Sequence, residues 1–545
     1  MNIIPEEQAA FRKGYSTVDH ILTLYTLITK QFSQNRKLYV AFIDYRRCYD
    51  NINRLALFTV LERYGITGSF LNVLKSLYSK VESAVKGNDN MITDFFDCPV
   101  GLKQGCILSP LLFNIFISIV SKTLNDEGIH GLQFIPNTNI LHHLFYADDN
   151  CIFSTTPVGL QNKLNLLYRL SESLGMEVNL EKTKIVVFRK GGYLGKKEKW
   201  HYNHQNVEVV NSYIYLGANF STKMSFVNIS VPLIAKAKKC INDILMSLNT
   251  LSHVYFSLFI KLFDSQVKPI LSYASELWGL SDIDEIERVH LYAIKRYLNV
   301  SLHFSNKKVY AETGRYPLSI THKLHCVKYW LKIKKYPMNR IVRQTYECLF
   351  TLASKGNNNW VSAIRDLLCF NGFGIVWLTG EIGNKHLFSK QFKQTLIDNF
   401  YQDWNARMLK DENCHWYYGI KPLIETELYF SHIHFKPILR RILIKFRLGV
   451  SQINCHKYRF EKDVLMKNCP FCIQRLNEDE NHVLFVCPLY KSSREEFLSH
   501  ITVSFEQLQN CDYKLREFMS FHFYNIAKFL NEDMLLRDTV LKSRQ

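Results

Sequence analysis

The run HHLFYADDNCIF, residues 142–153, sets Asp148 beside Asp149 between two short apolar stretches. Adjacent carboxylates repel one another and resist burial unless something positive joins them. Asp-Asp is also an ordinary turn dipeptide, so the pair alone specifies no chemistry. A third acid, Asp44, closes the apolar run YVAFID, where a lone carboxylate is costly. If the strand ending at Asp44 neighbours the hairpin carrying Asp148 and Asp149, three carboxylates converge. Hard divalent cations such as Mg2+ take oxygen ligands of this kind and keep waters and phosphates in their shell. Two such ions about 3.5–4 Å apart can hold the attacking and departing oxygens of a phosphoryl transfer. On this reading the paired charges persist because cations sit on them.

A second group lies near the C-terminus: Cys469 and Cys472, then His482, then Cys487, in CPFCIQRLNEDENHVLFVC. Four soft or borderline ligands at these spacings suit a tetrahedral Zn2+ of structural type, the Cys-x2-Cys turn being the recurrent half-site. Cys455 and His456 are close enough in sequence to be substitute ligands.

The elements around these groups read as mixed. KLYVAFIDY (37–45) is a buried strand, and DNINRLALFTVLERYG (50–65) a helix with Asp50 or Asn51 as its cap and Gly65 as its stop. SPLLFNIFISIVSKTLNDEG (109–128) is a helix capped by Ser109 with Pro110 in its first turn. LQNKLNLLYRLSESLG (160–175) is another, ending at Gly175. Strands follow at 184–190 and 211–221, separated by a Gly/Lys-rich loop at 190–200. Strands alternating with helices that can all cover one sheet face make an α+β arrangement. Helices dominate from about 223 to 450.

The chain has 545 residues, 47% hydrophobic and 21% charged, so sizeable cores are expected throughout. Its 68 Lys and Arg outnumber 49 Asp and Glu, giving +19, which favours a polyanionic partner such as nucleic acid. The start MNIIPEEQAAFRKGY lacks the basic and apolar pattern of a secretory signal, and the longest apolar run, PLLFNIFISIV, is too short to span a bilayer. Fourteen cysteines without small-domain spacing suit a reducing compartment. An intracellular protein of nucleus or cytoplasm, without a membrane partner, is therefore expected.

In order along the chain, YVAFIDYRRCYDNINR, GLKQGCILSPLLFNIFI, FYADDN, GMEVNLEKTKIVVF and YIYLGANFS resemble motifs A to E of reverse transcriptases. Upstream, PEEQAAFRKGYSTVDHI resembles the segment that precedes motif A in non-LTR, LINE-type retrotransposon polymerases. The cysteine group, continuing into PLY, resembles a C-terminal segment of some open reading frames of that type.

The resemblance implies a right-hand polymerase: a palm of antiparallel sheet backed by helices with partial fingers in 1–222, a helical thumb in 223–300, a helical linker in 301–450 and a Cys/His lobe in 451–545. It implies that Asp44, Asp148 and Asp149 bind two Mg2+ ions, and that Asp50 falls at a later acid of motif A. Tyr49 matches the aromatic residue that excludes a 2′-hydroxyl. Arg47 stands where relatives often carry lysine, and Cys48 where they usually carry alanine. In motif B, Gly101 and Gly105 allow close backbone approach, and Gln104 lies beside the nascent pair with both a donor and an acceptor. Lys182 matches the motif D lysine that protonates departing pyrophosphate. Tyr215, Leu216 and Gly217 match the primer-grip hairpin. Lys236, Lys238 and Lys239 of the thumb could meet duplex phosphates.

The implied function is RNA-directed DNA polymerase of a non-LTR retrotransposon, with RNA template, DNA primer and dNTPs as partners. Two parts of the family pattern, the endonuclease and the basic fingers segment upstream of PEEQAAF, are not in the sequence, so a truncated polymerase is expected. The alternative function is a catalytically defective copy that only binds RNA.

Overall fold

The computed structural model describes residues 3–543 apart from 88–90, 128–130, 137, 139, 197, 225–226, 250–254, 282, 433–434, 462–466, 474 and 500–511. The chain divides into two compact units, each discontinuous. The first comprises Met1–Pro232, Ala274–Ser281 and His325–Glu381, the second Leu233–Tyr273, Asp282–Leu324 and Ile382–Gln545.

In chain order the first unit begins with α1 (Thr17–Ser33), β1 (Leu38–Ile43), α2 (Arg54–Arg63) and α3 (Gly68–Leu77). A short ribbon, β2 (Glu82–Ser83) with β3 (Phe96–Asp97), precedes α4 (Ser109–Asp126), then β4 (His143–Tyr146), β5 (Asp149–Ser154) and α5 (Pro157–Leu174). After these come β6 (Lys184–Phe188), β7 (Trp200–Tyr202), β8 (Gln205–Val210), β9 (Ser212–Tyr215) and β10 (Ala218–Ser221). Six strands form one sheet in the order β4-β5-β1-β6-β8-β7, all antiparallel except the β6–β8 pair.

Every residue of β1 is buried, as expected for a central strand with cover on both faces. On one face Ala41 and Ile43 meet Phe113, Phe116, Ile117 and Val120 of α4 and Leu160, Leu164 and Leu167 of α5 in a continuous core. On the other, Phe42 stacks on Tyr213 (4.4 Å between centroids, 10°) and packs near Tyr215 at 5.4 Å, seating the β9–β10 hairpin under β1. Helix α1 packs against the helix Ile341–Ser354, with Arg340 over the Tyr15 ring at 3.6 Å and Tyr329 Oη donating to Asp19 at 2.7 Å.

Some expected boundaries shift. Helix α2 starts at Arg54, and its cap is Asn53, whose side chain accepts from the backbone N–H of Leu55 and Ala56. Neither Asp50 nor Asn51 caps it, because residues 47–51 are coiled into a turn in which Asp50 and Asn51 both donate to the Arg47 carbonyl. Ser109 is the first residue of α4 rather than its cap, and its hydroxyl donates to the Lys103 carbonyl at 2.7 Å. Residues 200–210 form the edge hairpin β7–β8, which the sequence reading left unassigned.

The second unit is helical. Its buried centre includes Arg447, paired with Glu312 at 2.8 Å and Glu427 at 3.0 Å, and Tyr417 Oη donates to Glu312 at 2.6 Å. Charges this deep persist because each has a partner and further hydrogen bonds. Among the described residues no helix is long and apolar enough to cross a membrane, and every cysteine is a free thiol.

Candidate active site

β1 ends one residue before Asp44, and the antiparallel register with β5 pairs Ile43 with Asn150. One step further along both strands sets Asp44 opposite Asp149, and residues opposed across antiparallel strands lie roughly 5 Å apart at Cα. Across the β4–β5 hairpin Tyr146 pairs with Asp149, so Ala147 and Asp148 form the two-residue apex. The three carboxylates of the sequence reading therefore meet at one end of the central strands.

Their electrostatics follow from that crowding. Asp148 is raised above the ordinary carboxylate value by loss of water around it, and further by the charge of Asp44. Asp149, although exposed overall, is pushed up to about 6, first by partial burial and then by Asp148 and Asp44. Lys182 reaches Asp44 Oδ2 at 3.9 Å, with its own side chain 69% exposed, so the compensation it offers is weak. That lysine is placed by the loop 177–183, which runs beside the end of β1. Arg46 N–H donates to the Glu177 carbonyl (2.8 Å), Asn179 N–H to the Asp44 carbonyl (2.8 Å), and Asp44 N–H to Thr183 Oγ1 (3.1 Å).

The segments after Asp44 and before α4 are laced together. Leu102 N–H donates to the Tyr49 carbonyl (2.8 Å) and Gly101 N–H to the Ile52 carbonyl (2.9 Å). Arg54 donates to the carbonyls of Gly101, Val100 and Tyr78. Gly101 lies at φ +83°, and a Cβ there would run into the Asp50 carbonyl, so only glycine allows the approach. Gln104 Nε2 donates to Asp50 Oδ1 at 2.7 Å. Asp50 thus holds the motif B glutamine in place of capping a helix.

Tyr49 stacks on Phe113 of α4 (4.2 Å, 16°) and meets Phe11 edge-on (6.5 Å, 84°), which fixes its ring plane. Its hydroxyl is buried and without a hydrogen-bond partner. Arg47 is exposed at φ +44°, and Gly105 lies at φ +83° with open space where a Cβ would sit. In the β9–β10 hairpin Leu216 (φ +47°) and Gly217 (φ +77°) both take the left-handed region that a tight two-residue hairpin requires. Tyr215 is buried. The neighbouring Tyr213 is pushed up to about 12, by burial and then by Asp149 and Asp44, so this hairpin lies within the field of the carboxylates.

Thr183, Phe11, Phe113 and Asp50 have places here that residue type and spacing did not assign. All of them fall within the quoted motifs, and none of these residue types announces its partner.

In the second unit Cys469, Cys472, His482 and Cys487 present donor atoms that all lie within 4.8 Å of one another and could hold a metal ion. The Cys469 and Cys487 sulfurs are 3.8 Å apart, and Cys472 Sγ lies 3.2 Å from His482 Nε2. Two ligands at about 2.3 Å from a tetrahedral centre are separated by about 3.8 Å. His456 instead bonds Glu480 (2.8 Å) and Ser451 (2.8 Å), and Cys455 faces the Lys467 carbonyl (3.8 Å), so neither substitutes in the cluster.

A family model described as reverse transcriptase (RNA-dependent DNA polymerase) matches residues 1–220. The retrovirus-related Pol polyprotein from type-2 retrotransposable element R2DM of Drosophila melanogaster is 28% identical over 148 residues, 27% of this chain and 13% of that protein. The corresponding polyprotein from type-1 retrotransposable element R2 of Popillia japonica is 25% identical over 329 residues, 57% of this chain and 44% of its own length. The chain thus spans less than half the length of these curated relatives. Among solved structures, telomerase from Candida albicans in complex with a TWJ fragment of telomeric RNA overlaps 70% of this chain and 57% of its own, at TM-score 0.35 and 14% identity. Residues 1–220 are thus similar to reverse transcriptases, and the curated relatives that the chain resembles are Pol polyproteins of R2 retrotransposable elements.

Proposed function

We propose that the protein is an RNA-directed DNA polymerase that transfers a nucleotide from a dNTP to a primer 3′-hydroxyl on an RNA template. The observation that carries this is the β1–β5 register, which brings Asp44 opposite Asp149 beside the Asp148 apex. The donor set fits hard divalent cations: three carboxylates, two of them raised by partial burial and then by the charge of their carboxylate neighbours, with the largely exposed Lys182 offering weak compensation. Two Mg2+ ions held by Asp44, Asp148 and Asp149 would supply charge stabilisation at the attacking and departing oxygens.

The chain's own residues do the rest. Tyr49, held flat by Phe113, closes the space a 2′-hydroxyl would need. Gln104 exchanges its bond to Asp50 for the incoming nucleotide, with Gly105 and Arg47 lining the approach. Lys182, on a loop hydrogen-bonded to Asp44, delivers a proton to the leaving pyrophosphate. Tyr215, Leu216 and Gly217 support the primer end from beneath β1. In functional terms residues 1–222 act as palm and fingers remnant, 223–300 as thumb, 301–450 as linker and 451–545 as a lobe organised by structural Zn2+ on Cys469, Cys472, His482 and Cys487. The sulfur spacing and the soft donor set support that metal.

Primer extension on an RNA template with Mg2+ and dNTPs tests the proposal. The expected outcome is extension by the wild type and extension reduced to background by Asp148→Ala. RNA binding without extension would replace the enzyme by a binding protein.

A further inference from the structure

The hairpin apex that carries Asp148 has a feature its sequence does not announce. Ala147, the first of its two central residues, lies at φ +57°. A side chain disfavours that region, and hairpins that need it ordinarily place glycine or asparagine there. Something outside the hairpin has to hold it.

Gln8, 139 residues earlier, does so. Its side chain is wholly buried (0% exposed). Its Oε1 accepts from the Ala147 N–H at 3.0 Å and its Nε2 donates to the Ala147 carbonyl at 3.2 Å, so both backbone polar groups of one residue are bound by one amide. The partners fix which way the amide faces, since an N–H needs the oxygen and a carbonyl needs the NH2. Oε1 also accepts from Ala10 N–H at 3.0 Å. Gln8 itself stands on rigid backbone: Ala9 N–H donates to the Phe145 carbonyl (3.0 Å), Phe145 N–H to the Glu7 carbonyl (2.8 Å), and Asn114 Nδ2 to the Ala10 carbonyl (2.9 Å). Residues 7–10 thus extend the sheet beyond β4 and deliver a clamp to its turn. Glutamate lacks the donor, asparagine is one methylene short, and an apolar side chain would orphan both Ala147 groups in a buried place.

We propose that Gln8 is the positioning residue for the Asp148 carboxylate: it touches no reacting atom, and it sets that carboxylate for cations by clamping Ala147 in its left-handed conformation. The proposal rests on reading Asp44, Asp148 and Asp149 as cation ligands.

The test uses Mn2+ as the probe, with binding to the full chain followed by electron paramagnetic resonance in the absence of nucleic acid. Asp148→Asn identifies the site by releasing Mn2+ from it. Gln8→Met keeps the volume and removes both hydrogen bonds to Ala147, along with the one from Ala10 N–H, and should weaken Mn2+ at this site about tenfold with unchanged far-UV circular dichroism. Adding Ala147→Gly, which takes positive φ without a clamp, should recover part of the loss. Should Gln8→Met fail to fold, Gln8→Asn takes its place in the same pair of measurements. Mn2+ held equally by the Gln8 variant, or a loss that Ala147→Gly does not reduce, overturns the proposal and leaves the metal reading standing. A wild-type chain with no Mn2+ that Asp148→Asn releases defeats the metal reading, and this proposal with it.

Discussion

Asp149 carries the clearest electrostatic consequence of the carboxylate arrangement. Its carboxyl stands at about 6, pushed up by partial burial first and by Asp148 and Asp44 after it, against about 3.9 in an unfolded chain. A carboxyl raised by folding contributes stability that is complete below the unfolded value and lost as pH rises through the folded one. The window is therefore about pH 4 to 6, above which the chain without divalent cations holds crowded negative charge. Asp149→Asn removes one of those charges. With Mg2+ withheld, the variant should melt about 1 °C above the wild type at pH 7.5, a small shift because the side chain is largely solvated. The gap should vanish at pH 4, where the wild-type carboxyl is already neutral, and shrink when Mg2+ is added at pH 7.5. Thermal scans at the two pH values, with and without Mg2+, check it, and equal melting at pH 7.5 without Mg2+ would contradict the crowding.

At the scale of elements, the zinc proposed for Cys469, Cys472, His482 and Cys487 has a stability consequence of its own. Within 469–490 the buried apolar side chains are chiefly Val483, Leu484, Phe485 and Tyr490, while Phe518, Met519, Ile526, Phe529 and Leu530 are buried on the helices that follow; Arg494 donates to the carbonyls of Val483, Leu484 and Cys487. Structural zinc contributes folding free energy outright in domains of this size. One zinc per chain by atomic absorption is the expected content, and Cys487→Ser should remove it. Limited proteolysis of that variant should cut between residues 455 and 498 while the fragment spanning residues 1–232 stays resistant; zinc retained, or proteolysis unchanged, would contradict the assignment. The clustering of Cys469, Cys472, His482 and Cys487 was legible because their chemistry is carried by residue type and short spacing. Asp44 and the Asp148–Asp149 pair were legible because they interrupt apolar strands. The edge hairpin β7–β8 was not: its turn places Asn203 (φ +46°) and His204 (φ +63°) in the left-handed region without the glycine that signals such turns. The cap of α2 was misplaced because Asp50, one of the two candidates, is taken up by Gln104, and Asn53 caps the helix in its place. The Gln8 clamp joins positions 139 apart, a pairing that no local pattern encodes.

For the whole molecule, the excess of +19 makes an argument that no single lysine can. A basic chain on RNA releases counterions, so affinity falls with salt at a log–log slope of about −0.7 for each phosphate neutralised on a single strand. A diffuse excess and a focused contact surface differ in how that slope responds to local change. Lys236, Lys238 and Lys239 are all exposed on the helix Val227–Asn249, so they are free to meet phosphates or to be solvated. If all three lie against the backbone of a bound strand, replacing them with glutamine lowers the slope by about 2. Affinity should fall to a similar degree for unrelated RNA sequences, since phosphate contacts carry no base information. Fluorescence anisotropy of two unrelated labelled RNAs over a range of KCl concentrations measures both quantities. A slope that does not change would place the contact surface on other basic residues of the chain. A loss confined to one RNA would mean that the helix reads bases, against the phosphate role assigned to it.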